Sequence, residues 1–147
     1  TFGLPFVHRT YGLKPVFHKD EVDIYRQMPS MAARFGLNMG GGMPPIGQLL
    51  SDGDELFLGT TAVRLIHTPG HTPGSSAFYI PEAGLLFSGD TLFQQSIGRT
   101  DLPGGSYEDE LDSIKNKLFC LPDDTKVLPG HGPSTTIGWE KQNNPYA

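Results

Sequence analysis

Three segments of this 147-residue chain share one pattern, an apolar run followed by glycine and then by a side chain that can bind a metal. Two of them end in Pro-Gly-His, at His71 and His131, and the third ends in Gly-Asp, at Asp90. Each pattern predicts a buried strand and a tight turn, because glycine lacks the Cβ that would block close backbone approach. Since strand ends of a layered α/β protein meet at one rim, we expect the three side chains to converge.

The three side chains suit a hydrolytic metal site. Such a site needs nitrogen and carboxylate ligands held rigidly, with one position left open for water. Pro69 and Pro129 stiffen the two turns that carry the histidines. Taken singly, a loop histidine is more often a surface residue, and an aspartate after glycine is more often a turn former. Three matching endings in one chain favour the metal site.

Other reactive side chains fit simpler interpretations. His67 precedes His71 by four residues, but Pro69 and Gly70 lie between them, which excludes a helical His-x-x-x-His site. Cys120 is the only cysteine, so no internal disulfide can form, and this fits a reducing, cytoplasmic setting. We interpret Cys120 as a small core residue, because a cysteine nucleophile needs a partner histidine and a polar pocket.

Charge and hydropathy exclude two classes of partner. The net charge is −5 and no basic run occurs, which argues against binding to a nucleic-acid backbone. No apolar run approaches the roughly 18 residues that a membrane span requires. The length predicts a single domain over residues 1–147, and 19 glycines with 13 prolines predict many tight turns.

The periodicity of the apolar residues predicts a mixed α/β chain. Ser106 and Asp109 form an approximate capping box at the start of the clearest helix. A break is expected near Pro29, and residues 38–47 have the composition of a loop. The predicted helices cover residues 3–11, 20–35, 137–142 and a segment beginning at 106, and the predicted strands cover 14–18, 55–58, 61–68, 75–80, 85–88 and 126–128.

The three ligand segments also resemble those of a known family. Residues 68–75 (TPGHTPGS), 88–93 (SGDTLF) and 128–132 (LPGHG) are similar to the third-histidine, bridging-aspartate and final-histidine segments of the metallo-β-lactamase superfamily. Their order agrees, and so do the spacings of 19 and 41 residues between the ligands. The resemblance implies an αββα sandwich.

Residues 97–106 (IGRTDLPGGS) resemble the hydroxyacylglutathione hydrolase (glyoxalase II-like) branch. This resemblance implies a hydrolase acting on small-molecule thioesters through a hydroxide that bridges two metal ions. Zinc is the first choice of metal, with iron or manganese as alternatives. The resemblance also implies that His71 binds one ion and His131 the other. Asp90 would bridge both ions as the catalytic ligand. Arg99 would pair with a substrate carboxylate or, as we favour, brace the loop of Asp90.

The chain departs from the family pattern at its start. The family signature His-x-His-x-Asp-His is absent, and Thr1 resembles the beginning of the helix that follows that signature. We therefore expect an N-terminally truncated piece, lacking the first strands and about half of the ligands, inactive alone and prone to self-association through exposed apolar surface. True glyoxalase II carries a further helical domain, so glutathione specificity is not implied.

Three alternatives stay open on the sequence. The same scaffold serves iron-dependent persulfide dioxygenases and lactonases, and both resemble this chain in their histidine and aspartate ligands. The third alternative is a metal-binding fragment without catalytic activity, because lost ligands reduce metal affinity directly.

Overall fold

The computed structural model describes residues 3–34, 36–37 and 42–147. The chain has a mixed α/β fold and forms two compact units, residues 1–50 and 51–147. The prediction of one domain over residues 1–147 stays a prediction. Of the predicted loop at 38–47, residues 38–41 lie outside the described residues, and residues 42–47 contain no helix or strand.

The described residues of the first unit form two α-helices, a 3₁₀ turn and one pair of parallel strands. Pro5 lies in the first turn of the first helix, where its missing N–H has no partner to lose, and Gly12 ends that helix with φ 68°. The elements are α1 Leu4–Tyr11, β1 Val16–His18, α2 Val22–Arg34 and β2 Gln48–Leu50.

Helix α2 runs through Pro29 without a break, so the predicted interruption is wrong. Tyr25 and Ala32 lie on either side of the proline and are both buried. Packing of this shared face outweighs the one backbone hydrogen bond that Pro29 cannot make. The Tyr25 hydroxyl also donates to the carbonyl of Pro44. Among the described residues, α2 and every other helix are too short or too polar to cross a membrane.

The second unit is built on a six-stranded sheet with the order β10-β9-β6-β5-β4-β3. Neighbouring strands are antiparallel except for β6 and β9, which are parallel. A separate hairpin pairs β7 with β8. The strands are β3 Glu55–Leu58, β4 Thr61–His67, β5 Ser76–Ile80, β6 Leu85–Gly89, β7 Leu92–Phe93, β8 Ser96–Ile97, β9 Lys126–Pro129 and β10 Thr135–Thr136.

This topology places three strand ends at one edge of the sheet. β4 and β6 run in the same direction, because β5 lies between them and is antiparallel to both. β9 runs parallel to β6, with Pro129 opposite Gly89. The carboxyl ends of β4, β6 and β9 therefore share one rim.

Two helices, α3 Tyr107–Asn116 and α4 Ile137–Asn143, supply the rest of the core of this unit. Leu86 and Val127 from the sheet pack with Ile114, Leu118 and Ile137, and all five side chains are fully buried. The Ser106 hydroxyl accepts the N–H of Asp109, which confirms the predicted start of α3.

Cys120 is exposed, so its assignment to the core is wrong. It lies in a 3₁₀ turn, Leu118–Cys120, directly after α3. Leu118 takes the buried position in this turn, and the exposed thiol of Cys120 donates to the carbonyl of Asn116.

Candidate metal centre

The rim brings the three predicted ligands together. His71 follows the end of β4 by four residues, Asp90 comes directly after β6, and His131 follows β9 by two residues. Asp90 lies between the two histidines, with its Oδ2 atom 3.8 Å from Nε2 of His71. Its Oδ1 atom is 3.8 Å from Nε2 of His131. The carboxyl group thus offers one oxygen to each imidazole.

These distances fit shared metal ligation. Two ligands at about 2.1 Å from one ion lie no more than about 4.2 Å apart. The separations of 3.8 Å meet that limit, whereas they are too long for direct hydrogen bonds. Imidazole nitrogen with carboxylate oxygen suits zinc, iron and manganese alike. Asp90 is placed to share one ion with each histidine.

Glycine makes the close approach at the rim feasible. A Cβ on residue 130 would lie 2.4 Å from Oδ1 of Asp90, which no real side chain tolerates. The Gly130 N–H also donates to the carbonyl of Gly89 at 2.7 Å, which ties the two ligand loops together. The pattern of glycine before each ligand therefore has a local steric cause at Gly130.

A backbone carbonyl orients the His71 ring through the nitrogen that faces away from Asp90. Its Nδ1 lies 2.9 Å from the carbonyl oxygen of Arg99. A carbonyl can only accept, so Nδ1 carries the proton and the lone pair of Nε2 faces Asp90 in the neutral ring. Metal-binding histidines commonly have such a partner on the far nitrogen.

The side chain of Arg99 does not reach into the Asp90 loop. Its guanidinium forms two hydrogen bonds of 2.8 Å with the carboxylate of Asp101. The hydrogen bond and charge of Arg99 lower the pKa of Asp101 to about 2. Arg99 lines the site, but its contact with a candidate ligand is made by its main chain.

The two histidines have different surroundings. The side chain of His71 is 19 % exposed and that of His131 is 76 % exposed. The ring of His131 packs against Phe93, with centroids 4.5 Å apart and planes tilted by 32°. Beside them lies a cavity of about 410 Å³ whose lining includes His71, Asp90, Phe93, Ile97, Arg99 and His131.

Sequence reasoning missed Glu110, a fully buried residue of α3 beneath His71. Its Oε2 atom accepts the backbone N–H of His71 at 2.9 Å. Burial raises the pKa of Glu110 to about 8, and the negative charge of Asp90 adds to the rise. The available signal was its position four residues before Ile114, on the buried face of the helix.

Gly70 is the reason that Glu110 can lie so close. A Cβ on residue 70 would meet the backbone and side chain of Glu110 at 2.3 to 2.5 Å. The φ angle of Gly70, 146°, is also one that other residues rarely adopt. The Pro-Gly-His turn therefore serves helix packing as well as ligand placement.

The sequence matches a known family over most of its length. The sequence model of the metallo-β-lactamase superfamily matches residues 3–131 of this chain. The chain therefore belongs to this superfamily. Its fold and the di-iron form of one structural neighbour, described next, support metal binding.

Three relatives illustrate the range of similarity. The crystal structure of TTHA1623 in a di-iron-bound form has a TM-score of 0.87 at 37 % identity, covering 99 % of this chain and 70 % of that one. The hydroxyacylglutathione hydrolase GloC of Haemophilus influenzae is 42 % identical over 123 residues, covering 84 % of this chain and 58 % of GloC. ETHE1 from Myxococcus xanthus has a TM-score of 0.66 at 31 % identity, covering 81 % of this chain and 55 % of ETHE1.

The chain spans about half the length of the first curated relatives that it matches, for example 46 % of an uncharacterised Mycobacterium tuberculosis protein and 58 % of GloC. The similarity therefore concerns only part of the length of these proteins.

Proposed function

We propose that the protein containing this sequence is a metal-dependent hydrolase of small-molecule thioesters, of the hydroxyacylglutathione type, that acts in the cytoplasm. The observation that carries the proposal is the Asp90 carboxyl group between two imidazole nitrogens, 3.8 Å from each, at an open cavity. The similarity to GloC supports the substrate class.

His71 and Asp90 would hold one ion, and Asp90 and His131 a second, with zinc as the first choice. When bound, such ions lower the pKa of water from about 16 to about 7 and polarise the carbonyl under attack. The chain contributes the fixed direction of the ligands. The carbonyl of Arg99 keeps the His71 ring in one tautomer, and Gly130 lets Asp90 approach.

The cavity wall suits a small acyl group. Phe93 and Ile97 give it apolar surface, whereas Gln94 and Ser96 from the same hairpin are polar. The charge of Arg99 is balanced by Asp101. We propose that Arg99 serves mainly to orient His71, and that an anionic group on the substrate is not its principal partner.

The test is metal-dependent thiol release from lactoylglutathione by the zinc-loaded full-length protein that contains this sequence. Asp90→Asn should reduce turnover by at least about a thousand-fold, because it removes a ligand common to both ions. The matched control is Asp124→Asn, an exposed carboxylate that does not line the cavity. Turnover by Asp90→Asn equal to that of the control would refute the assignment.

A persulfide dioxygenase is the second candidate, favoured by the similarity to ETHE1. This function would use iron and consume oxygen, so oxygen uptake with a glutathione persulfide distinguishes it. Purified iron-loaded protein that consumes oxygen and does not cleave lactoylglutathione would replace the hydrolase proposal with this one.

A further inference from the structure

One wall of the candidate metal cavity is the hairpin β7–β8, whose turn consists of Gln94 and Gln95. Phe93 from this hairpin packs against the ring of His131, and Ile97 lines the same cavity. The position of the hairpin therefore determines both the shape of the cavity and the surroundings of its more exposed histidine.

The hairpin cannot hold this position by itself. Each strand has only two residues, and an isolated two-stranded hairpin is marginally stable even when longer. Gln95 has φ 54°, and it is the one non-glycine residue with positive φ in the described ranges. This left-handed conformation is unfavourable for a residue with a side chain and persists only when surrounding contacts impose it.

Helix α4 and the residue that follows it, Asn144, supply those contacts. Oε2 of Glu140 accepts the backbone N–H of Gln95 at 2.9 Å and also accepts Nδ2 of Asn144. Nδ2 of Asn144 donates in turn to the carbonyl of Ser96 at 3.1 Å. Oε1 of Glu140 accepts the hydroxyl of Thr135. Gln95 is thus bound to α4, and Ser96 to the residue at its C-terminal end.

Glu140 is fully buried and does not line the cavity. A buried carboxyl group is costly unless its hydrogen bonds are made, and here both oxygens accept donors. The sequence places Glu140 in a short helix with no indicated role. Its burial and its partners connect this helix to the metal rim.

We propose that Glu140 is a positioning residue for the metal cavity: it holds Gln95 in the left-handed conformation and thereby fixes Phe93 against His131. The inference rests on the proposed metal centre for its functional meaning. Its structural part, the restraint of the hairpin by Glu140, is independent of metal and substrate.

Two substitutions of Glu140 separate geometry from charge. A glutamine can keep its oxygen on Gln95 and Asn144 while its NH₂ donates to the Thr135 hydroxyl, which is able to accept. Glu140→Gln should therefore preserve the hairpin. Glu140→Ala removes every one of these contacts and should release it.

The experiment is amide hydrogen exchange across residues 92–97 in the purified full chain. Glu140→Ala should accelerate exchange in the hairpin by at least about ten-fold relative to the amides of β5 and β6, and Glu140→Gln by less than about three-fold. Glu140→Met, which keeps the length of the side chain and removes every acceptor, serves if the alanine variant of Glu140 does not fold. Unchanged hairpin exchange in whichever of Glu140→Ala and Glu140→Met folds would overturn the proposal.

The second readout is zinc affinity, measured by titration with zinc alone. Glu140→Ala should weaken zinc binding by about ten-fold, and Glu140→Gln should restore it. Leu65→Ala is the control, because Leu65 is a fully buried side chain of β4 outside the core cluster that contains Leu92 of the hairpin, and its loss should leave zinc binding unchanged. An equal loss in Leu65→Ala would show general destabilisation and would contradict a positioning role. If Glu140→Ala speeds hairpin exchange but the wild-type chain binds no zinc, the restraint by Glu140 is supported and the proposed metal centre is refuted.

Discussion

Glu110 and Glu140 are both fully buried glutamates on helices of the same unit, yet their surroundings differ. Both oxygens of Glu140 accept hydrogen bonds, from a backbone N–H, an amide and a hydroxyl. Glu110 accepts the N–H of His71 at one oxygen, and its other oxygen has no hydrogen-bond partner among the described residues. One residue type thus serves two purposes, depending on how many donors surround it.

The difference shows what each carboxyl group does for the rim. Three donors allow Glu140 to tie a strained hairpin to a helix. Glu110 has too few donors to offset burial, and it retains a proton to higher pH. It supports the His71 turn as a packed, hydrogen-bonded group directly below a candidate ligand.

The largest expected effect is a difference in the free energy of unfolding between alanine variants of Glu140 and Glu110. Glu140→Ala should lower the free energy of unfolding by about 3 kcal/mol or more, because it removes the acceptor of three hydrogen bonds, two of which are buried. Glu110→Ala orphans only the His71 N–H and removes an unsatisfied oxygen, so we expect a loss of about 1–2 kcal/mol. Urea denaturation of both variants measures the difference. Equal losses would contradict the distinction drawn between the two carboxyl groups.

The next effect tests how tightly Glu110 packs below the ligand turn. Gly70→Ala should cost about 2 kcal/mol or more, because the new Cβ would overlap the backbone of Glu110. Gly53→Ala is the matched control, since Gly53 also has a positive φ but nothing within 4 Å of its Cβ position. Its cost should be about 1 kcal/mol, from backbone strain alone. The prediction fails if urea denaturation gives the same value for both.

A further effect concerns the pH dependence of the free energy of unfolding. The pKa of Glu110 is about 8 in the folded chain and about 4.5 when unfolded, so the folded state binds more protons between these values. The free energy of unfolding of the metal-free protein should therefore fall as pH rises from about 4.5 to about 8. Glu110→Gln should remove this part of the slope. Denaturation curves at several pH values, compared with Glu140→Gln as control, decide whether the slope belongs to Glu110.

The smallest effect on zinc affinity is expected from the exposed ion pair of Arg99 and Asp101. Arg99→Ala removes hydrogen bonds to Asp101 in which both side chains are solvent-accessible, and such pairs contribute little. The Arg99 carbonyl that orients His71 remains, so zinc affinity should stay within about two-fold of wild type. A large loss of zinc affinity in a titration would show that the guanidinium itself supports the metal centre.

Much of the rim followed from the sequence because its determinants are local. Glycine before Asp90 and His131 predicted the turns, and alternating elements predicted the α/β fold that places strand ends together. The resemblance to the metallo-β-lactamase superfamily agrees with the family match. Self-association, which was also expected, stays a prediction.

The features that the sequence did not indicate depend on contacts between distant segments. Glu110 meets His71 across 39 residues, and Glu140 meets Gln95 across 45. The helix through Pro29 and the outward position of Cys120 likewise depend on which face is packed, which local preferences do not encode. Arg99 pairs with Asp101, only two residues away, whereas the sequence had suggested a substrate carboxylate or the Asp90 loop as its partner.

The central claim is that the Asp90 carboxyl group joins His71 and His131 in one metal centre. The most direct test is the zinc content and zinc affinity of Asp90→Asn beside wild type and the Asp124→Asn control, measured by elemental analysis and titration. The account predicts that wild type and Asp124→Asn bind zinc alike and that Asp90→Asn binds it at least about a hundred-fold more weakly. Wild-type zinc affinity in Asp90→Asn would contradict it.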